Sequence, residues 1–128
     1  MIKEMYPTEM WPEMYTLYPE DFPEPTADQL RDVEATKIRR RYAQMMDDVV
    51  KPYTKTEQLT WDMQVKEADA FLSNDQVATP LLSALAENRG ITLQTLVSLV
   101  KENDNAFRLA IGTLLGKQQA ELDALYNQ

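Results

Sequence analysis

The segment 106–126, AFRLAIGTLLGKQQAELDALY, has the clearest apolar periodicity in the chain and decides the fold class. Its apolar residues return every three or four positions, which places them on one face of an α-helix. Gly112 and Gly116 lie four residues apart in it, although each glycine costs about 1 kcal/mol relative to alanine inside a helix. We expect them to allow close packing within the domain, in preference to a functional or intersubunit contact. The residues that form the apolar stripe on this helix face are Phe107, Ile111, Leu114, Gln118, Leu122 and Leu125.

Two capping-box pairs predict where earlier helices begin. Thr26 precedes Gln29, and Thr54 precedes Glu57, by the three residues that this motif requires. At that spacing a hydroxyl and a later side chain satisfy early backbone N–H groups of the helix. The first of these helices should end just before Pro52, because a residue that precedes proline disfavours the helical conformation.

Further turn and cap signals divide the region after Thr54. A turn at Ser73-Asn74-Asp75 should end the helix that Thr54 begins. Thr79-Pro80 predicts a new helix start, since proline is tolerated at the first helical position, and Gly90 predicts its left-handed end. Thr92 should cap the next helix, which we expect to break or kink around Asn103-Asp104-Asn105. No segment has the period of a strand, so the sequence predicts an all-α protein.

The N-terminal residues 1–25 have a different composition. They hold five of the seven prolines, four of the seven methionines and five of the eleven aromatic residues. Aromatic–proline pairs favour extended backbone, and this density of rings is too high for an ordinary disordered tail. We therefore predict an extended arm that attaches the protein to a partner. The predicted partner-binding residues are Tyr6, Pro7, Trp11, Pro12, Tyr15, Tyr18, Pro19, Phe22 and Pro23.

The predicted organisation is therefore a small bundle of about four or five helices preceded by this arm. Residues 1–25 form the arm, 26–53 a long amphipathic helix, and 54–128 a helical domain. The run Met1-Ile2-Lys3-Glu4 has no features of a secretory signal, so we expect synthesis in the cytoplasm. No stretch is apolar enough for a transmembrane helix, and we expect no membrane partner.

Composition argues against most enzyme and metal-site chemistries. The chain has no cysteine and no histidine, which removes disulfides, thiolate chemistry and the commonest transition-metal ligand. The adjacent acids Asp47-Asp48 diverge on a helix, and Glu67 with Asp69 match no metal-binding loop. We predict a non-enzymatic protein with no catalytic, cofactor-binding or metal-binding residues.

Net charge sets the partners that we expect. At −8, the chain should repel nucleic-acid phosphates. The run Arg39-Arg40-Arg41 is the exception, and it should girdle its helix without forming one flat patch. We favour solvated charge paired with neighbouring acids, with docking to phosphate or protein, or to the acidic arm of a neighbouring subunit, as the alternatives.

The region from Thr54 onward resembles the helical domain with which phage and prophage tail proteins, including tail fibre assembly proteins, often end. The resemblance begins with Thr56-Glu57, Trp61 and the residues around Glu67 and Phe71. It covers about three fifths of the chain. The remaining matching residues are Thr79-Pro80-Leu81-Leu82, Leu85-Ala86, Arg89-Gly90-Ile91, Gly112 and Leu115-Gly116-Lys117-Gln118-Gln119 through Asp123.

This resemblance implies a role in the tail of a tailed phage. The protein would be a structural component of the virion that docks on tail, fibre or baseplate proteins, as a homo-oligomer or in several symmetry copies. The alternative is a tail fibre assembly chaperone that is absent from the mature particle. The resemblance carries no catalytic residues.

Overall fold

The computed structural model describes residues 2–127 and is all-α over that range, which confirms the predicted fold class. Met1 and Gln128, the ends of the predicted segments 1–25 and 54–128, lie outside the described residues. Two short 3-10 turns, Ile2–Met5 and Thr8–Met10, precede five α-helices. These are α1 (Trp11–Leu17), α2 (Ala27–Val50), α3 (Lys55–Ser73), α4 (Pro80–Arg89) and α5 (Leu93–Tyr126).

The local cap signals give the helix starts that the sequence predicts. The backbone N–H of Gln29 donates to the Thr26 hydroxyl over 3.1 Å, and the Gln29 side chain accepts from the N–H of Thr26 over 2.9 Å. The backbone N–H of Glu57 likewise donates to the Thr54 hydroxyl, which begins α3. These bonds satisfy N–H groups that have no partner inside the helix.

The two ends of α4 are capped differently, one by a neighbouring residue and the other by a side chain from another helix. Gly90 ends the helix with φ +70°, as predicted. At the start, the Thr79 side chain makes no cap hydrogen bond to the helix backbone, and its hydroxyl lies 2.9 Å from that of Ser83. The Glu67 carboxylate of α3 instead accepts from the N–H of Leu82 over 2.9 Å and from that of Leu81 over 3.3 Å. This acid therefore joins α3 to α4 and satisfies the first turn of α4.

Helix α5 continues through Asn103-Asp104-Asn105, where the sequence predicts a break. Asparagine and aspartate cost only about 0.7 kcal/mol relative to alanine inside a helix, far less than proline. Asp104 also accepts from Arg108, four residues later, over 2.9 Å. The prediction of a break is wrong because no residue here removes a backbone hydrogen bond.

The N-terminal segment, residues 2–25, is helical over much of its first part, up to Leu17, where the sequence predicts an extended arm, and residues 18–25 form turns and irregular backbone. Pro12 takes the first turn of α1, where its missing N–H leaves no bond unmade. Trp11, which precedes it, has φ −60° and ψ −39°, a helical conformation that a following proline disfavours. Pro7 does have the extended conformation, with ψ 147°. Helix α1 ends at Leu17, and Tyr18 is its C-cap residue.

The chain divides into two compact units that do not follow the boundaries at residues 25 and 53. The terminal unit comprises Met1–Met45 and Leu114–Gln128, of which 2–45 and 114–127 are described. The central unit comprises Met46–Thr113. The N-terminal segment therefore belongs to the same unit as most of α2, and its buried side chains include those of Pro12, Met14 and Phe22.

The central unit has an aliphatic core drawn from α3, α4 and the first part of α5. Leu82 and Val97 are its largest fully buried side chains. Burial of such a side chain contributes about 1.5–3 kcal/mol, so this cluster supplies much of the stability of the unit. Its other buried members are Ala68, Ala86, Leu96 and Val100.

Candidate partner-docking sites

The structure places the predicted partner-binding residues in three different environments. Phe22, 4% exposed, and Pro12 are buried, whereas Trp11 and Tyr15 are half-buried. The prediction treated all of them as one docking surface, but a buried side chain cannot contact a partner without unfolding its surroundings. The exposed members are Tyr6, Pro7, Tyr18, Pro19 and Pro23.

Trp11 organises the N-terminal segment. Its indole N–H lies 3.0 Å from the carbonyl oxygen of Lys3 and 3.1 Å from that of Tyr6, so one donor is shared by two turns. The ammonium of Lys3 lies 5.5 Å from the centroid of the Trp11 ring. Tyr6 packs edge-on against Phe22, with ring centroids 5.9 Å apart. These rings stabilise the fold of the segment itself.

Several large apolar side chains of the same segment are exposed. Met5 is 82% exposed, Leu17 68% and Tyr18 51%. The prediction found Tyr6 and Tyr18 from their rings but omitted the others, although the high methionine content of residues 1–25 was a usable signal. We call the following residues the exposed N-terminal set: Met5, Tyr6, Met10, Leu17 and Tyr18.

A crevice of about 510 Å³ lies between the N-terminal segment and α2 within the terminal unit. Glu9 and Glu13 line it from the segment, and Lys37 and Arg40 line it from α2. Acidic residues of the N-terminal segment and Arg40 of the basic run therefore line the same crevice within one chain.

Arg41, the last residue of the basic run, has an acidic partner in the terminal unit. Its guanidinium donates to Glu121 of α5, and it also lies 5.2 Å from the centroid of the Tyr42 ring. Arg41 and then Tyr42 hold the pKa of the Glu121 carboxyl below its usual value. The other carboxylate oxygen, Oε2, is buried without a hydrogen-bond donor from the described residues.

A second tie joins the same two helices within the terminal unit. The Tyr126 hydroxyl lies 3.1 Å from Oδ1 of Asp32 and donates to it. Glu121 raises the pKa of Tyr42, and burial acts in the same direction. Because Arg41 is paired with Glu121, the favoured interpretation of the basic run, charges paired with neighbouring acids, holds for Arg41.

An aromatic pocket of about 240 Å³ opens in the central unit. The rings of Tyr53 and Trp61 lie 5.2 Å apart at 83°, and those of Trp61 and Phe107 lie 5.3 Å apart at 65°. Such edge-to-face packing directs neighbouring ring faces into different directions. The remaining lining residues are Val49, Gln64, Val65, Val100, Asn103, Asp104 and Ala106.

Sequence reasoning missed this pocket because it expected a helix break in one wall. With α5 continuous, Val100, Asn103, Asp104 and Phe107 are spaced by three, four and seven residues and so share one helix face. The periodicity of this stretch was a usable signal. Tyr53, in the connection between α2 and α3, has no comparable local signal.

The acidic pair Glu67 and Asp69 has structural partners. Glu67 caps α4, and Asp69 forms an ion pair of 2.8 Å with Lys101. Among residues 2–127, no group of three acidic side chains is arranged to hold a metal ion. In the same part of the chain, no helix combines the length and apolar character needed to cross a membrane.

Gly112 and Gly116 do not make the close contacts that their spacing predicts. A Cβ atom added to either glycine would meet open space among the described residues. The prediction of close packing within the domain is wrong for this structure. Both glycines lie on the exposed side of α5 because its apolar stripe faces elsewhere.

Comparison with known proteins gave no match among protein-family models, curated proteins or solved structures. The resemblance to phage tail proteins therefore stays a prediction, based on the order and spacing of residues from Thr54 onward.

Proposed function

We propose that this chain is a non-enzymatic structural component of a tailed phage particle, made in the host cytoplasm and located in the tail. It docks on a tail, fibre or baseplate protein through the exposed N-terminal set, in several symmetry copies. The residue resemblance supports the phage context. The observation that carries the docking role is the exposure of large apolar side chains on one short segment.

Burial of these side chains would favour association. Met5, Leu17 and Tyr18 are each more than half exposed in the chain by itself. Burying a side chain of this size contributes about 1.5–3 kcal/mol relative to leaving it in water. Tyrosine is also enriched among the residues that dominate interface energies. The buried Phe22 and half-buried Trp11 would act by holding this surface in shape.

The second candidate function is a tail fibre assembly chaperone that leaves before the particle is complete. The exposed methionines Met5 and Met10 favour this alternative, because methionine adapts to irregular and varied partner surfaces. A chaperone and a permanent component would use the same surface. They differ in whether the protein remains in the particle.

Mass spectrometry of purified particles from the phage that encodes this chain tests the proposal. A structural component should be present at a fixed ratio to the tail proteins after the particles are washed at high salt. The chaperone alternative predicts the protein in infected cells and its absence from particles. Absence from both particles and assembly intermediates would contradict both functions.

A matched pair of variants tests the docking surface. The double substitution Leu17→Ser with Tyr18→Ser removes two exposed apolar side chains from the N-terminal segment. We expect incorporation into particles to fall by about tenfold or more, in competition with the tagged parent chain. The control is Leu59→Ser with Met63→Ser, which removes similarly exposed side chains from α3. Equal losses for both pairs would contradict docking through the N-terminal segment.

A further inference from the structure

We propose that the aromatic pocket of the central unit binds an arginine side chain of a partner protein. This site goes beyond docking through the N-terminal segment, because it lies on other residues and selects a charge. Three features of the pocket carry the inference: its rings, its carboxylate and its size.

The rings supply surfaces that attract a cation. Tyr53, Trp61 and Phe107 meet at steep angles, so their faces are not all consumed by stacking on one another. A guanidinium held within about 6 Å of the face of a tryptophan or tyrosine ring is attracted by the ring quadrupole. Tyr53 is 41% exposed, which leaves this wall accessible from solvent.

Asp104 supplies a negative charge at the same place. Its side chain is only 13% exposed, and its Oδ2 already accepts from the Nε of Arg108. Arg108 itself is 71% exposed, so the pair is a partly buried carboxylate that receives a guanidinium from the solvent side. A carboxylate can accept more than one such donor, because it has two oxygens and about four lone-pair sites.

Two amide side chains add neutral hydrogen-bonding groups. Gln64 donates to the hydroxyl of Thr60 over 2.9 Å, which leaves its carbonyl oxygen as an acceptor. Asn103 lines the pocket beside Asp104. These acceptors suit the five N–H donors of a guanidinium, which are arranged in a fixed plane.

Charge and size argue against an anion, a drug-sized ligand and a small inorganic cation. The central unit holds ten acidic and six basic residues, so an anion would be repelled. A cavity of about 240 Å³ is smaller than the 300–1,000 Å³ common for drug-sized ligands and matches one long side chain better. The aliphatic part of an arginine would lie against Val65 and Val100, whereas a small inorganic cation would leave that apolar surface uncovered.

Titration of the full chain with a short peptide tests the site without any variant. The probe is the capped tripeptide Gly-Arg-Gly, and the matched control replaces its arginine with citrulline, a neutral molecule of nearly the same shape. Two-dimensional NMR follows the indole signal of Trp61, which a Trp11→Phe variant distinguishes from that of Trp11. We expect the arginine peptide to shift the Trp61 signal and the citrulline peptide to bind about tenfold more weakly.

Paired substitutions then locate the charge. Asp104→Asn should weaken binding of the arginine peptide by about fivefold. Asp62→Asn, which removes an exposed carboxylate of α3 outside the pocket lining, should leave it unchanged. Any one of three results would overturn the proposal. The arginine and citrulline peptides bind equally, or the two substitutions have equal effects. The third is that the Trp61 signal does not shift at 50 mM peptide, roughly the weakest affinity that a single side chain would show.

Discussion

The central unit buries aliphatic side chains between helices, whereas the terminal unit combines a few buried rings with polar ties. Leu82 and Val97 are fully buried in the first, and Phe22 is the most buried ring of the second. In the terminal unit the end of α5 is bound to α2 by Arg41 with Glu121 and by Tyr126 with Asp32. The central unit should therefore respond mainly to lost side-chain volume, and the terminal unit also to lost charge.

The largest effect should come from Leu82→Ala in the central unit. Leu82 is fully buried, and truncation of such a leucine costs about 3–5 kcal/mol because a cavity remains. Urea unfolding followed by circular dichroism measures the loss. The control Leu59→Ala, at a side chain 77% exposed, should change stability by less than about 0.5 kcal/mol. Equal losses of stability in the two variants would contradict the burial of Leu82 in the core.

Phe22→Ala should be the most damaging single change in the terminal unit. We expect about 2–3 kcal/mol, below the usual cost for phenylalanine, because the short N-terminal segment can partly collapse into the space. Hydrogen exchange should show faster exchange around α1, with protection of α4 unchanged. The control Tyr18→Ala, at a side chain 51% exposed, should leave both regions protected. Faster exchange in α4 after Phe22→Ala would contradict a local role.

Glu67→Gln tests the long-range cap of α4. The substitution keeps the shape but removes the charge and one acceptor, so two N–H groups lose strength in their hydrogen bonds. We expect a loss of about 1 kcal/mol, typical of a helix cap. Asp69→Asn, which breaks a partly exposed ion pair with Lys101, should cost less than about 0.5 kcal/mol. If the two losses were the same, Glu67 would be only another surface charge.

The smallest predicted effect is a pH dependence confined to the terminal unit. The pKa of Glu121 is lowered by Arg41 and then by Tyr42, so its contribution to stability is present above the usual value of 4.5. It is lost as the pH falls through the lowered pKa of the folded state, because protonation then removes the ion pair.

Thermal unfolding of the parent chain and of Glu121→Gln, followed between about pH 3 and pH 6, measures this effect. The difference in stability between the two proteins should shrink as the pH falls. Asp123→Asn, an exposed acid on the same helix, serves as the control and should show no such trend. A difference that stays constant across the range would contradict the role of Glu121.

Features set by neighbouring residues could be predicted from the sequence. The starts at Thr26 and Thr54 and the end at Gly90 depend on bonds within one helical turn. The all-α class follows from periodicity for the same reason. Glu67 could not be recognised as a cap, because it lies 15 residues before Leu82 and acts from another helix.

The candidate sites were predicted less completely, for two physical reasons. Trp11 is helical before a proline, and its indole binds the carbonyls of Lys3 and Tyr6, contacts that the preference of a residue before proline does not include. The aromatic pocket requires residues from α2, α3 and α5, together with Tyr53, to meet in space. Composition alone identified the N-terminal segment as apolar, but it did not separate the rings that fold it from those that remain exposed.

The clamp formed by Glu67 has a practical consequence for the connection between α3 and α4. Glu67 accepts from the N–H groups of Leu81 and Leu82, and the Thr79 carbonyl accepts from that of Ser83, so these hydrogen bonds at the start of α4 do not involve residues 74–78. Val77 and Ala78 are exposed, and lengthening a loop costs only about 0.6 kcal/mol for each doubling. An epitope or fluorescent label inserted between them would report on the protein in place while both flanking helices keep their register.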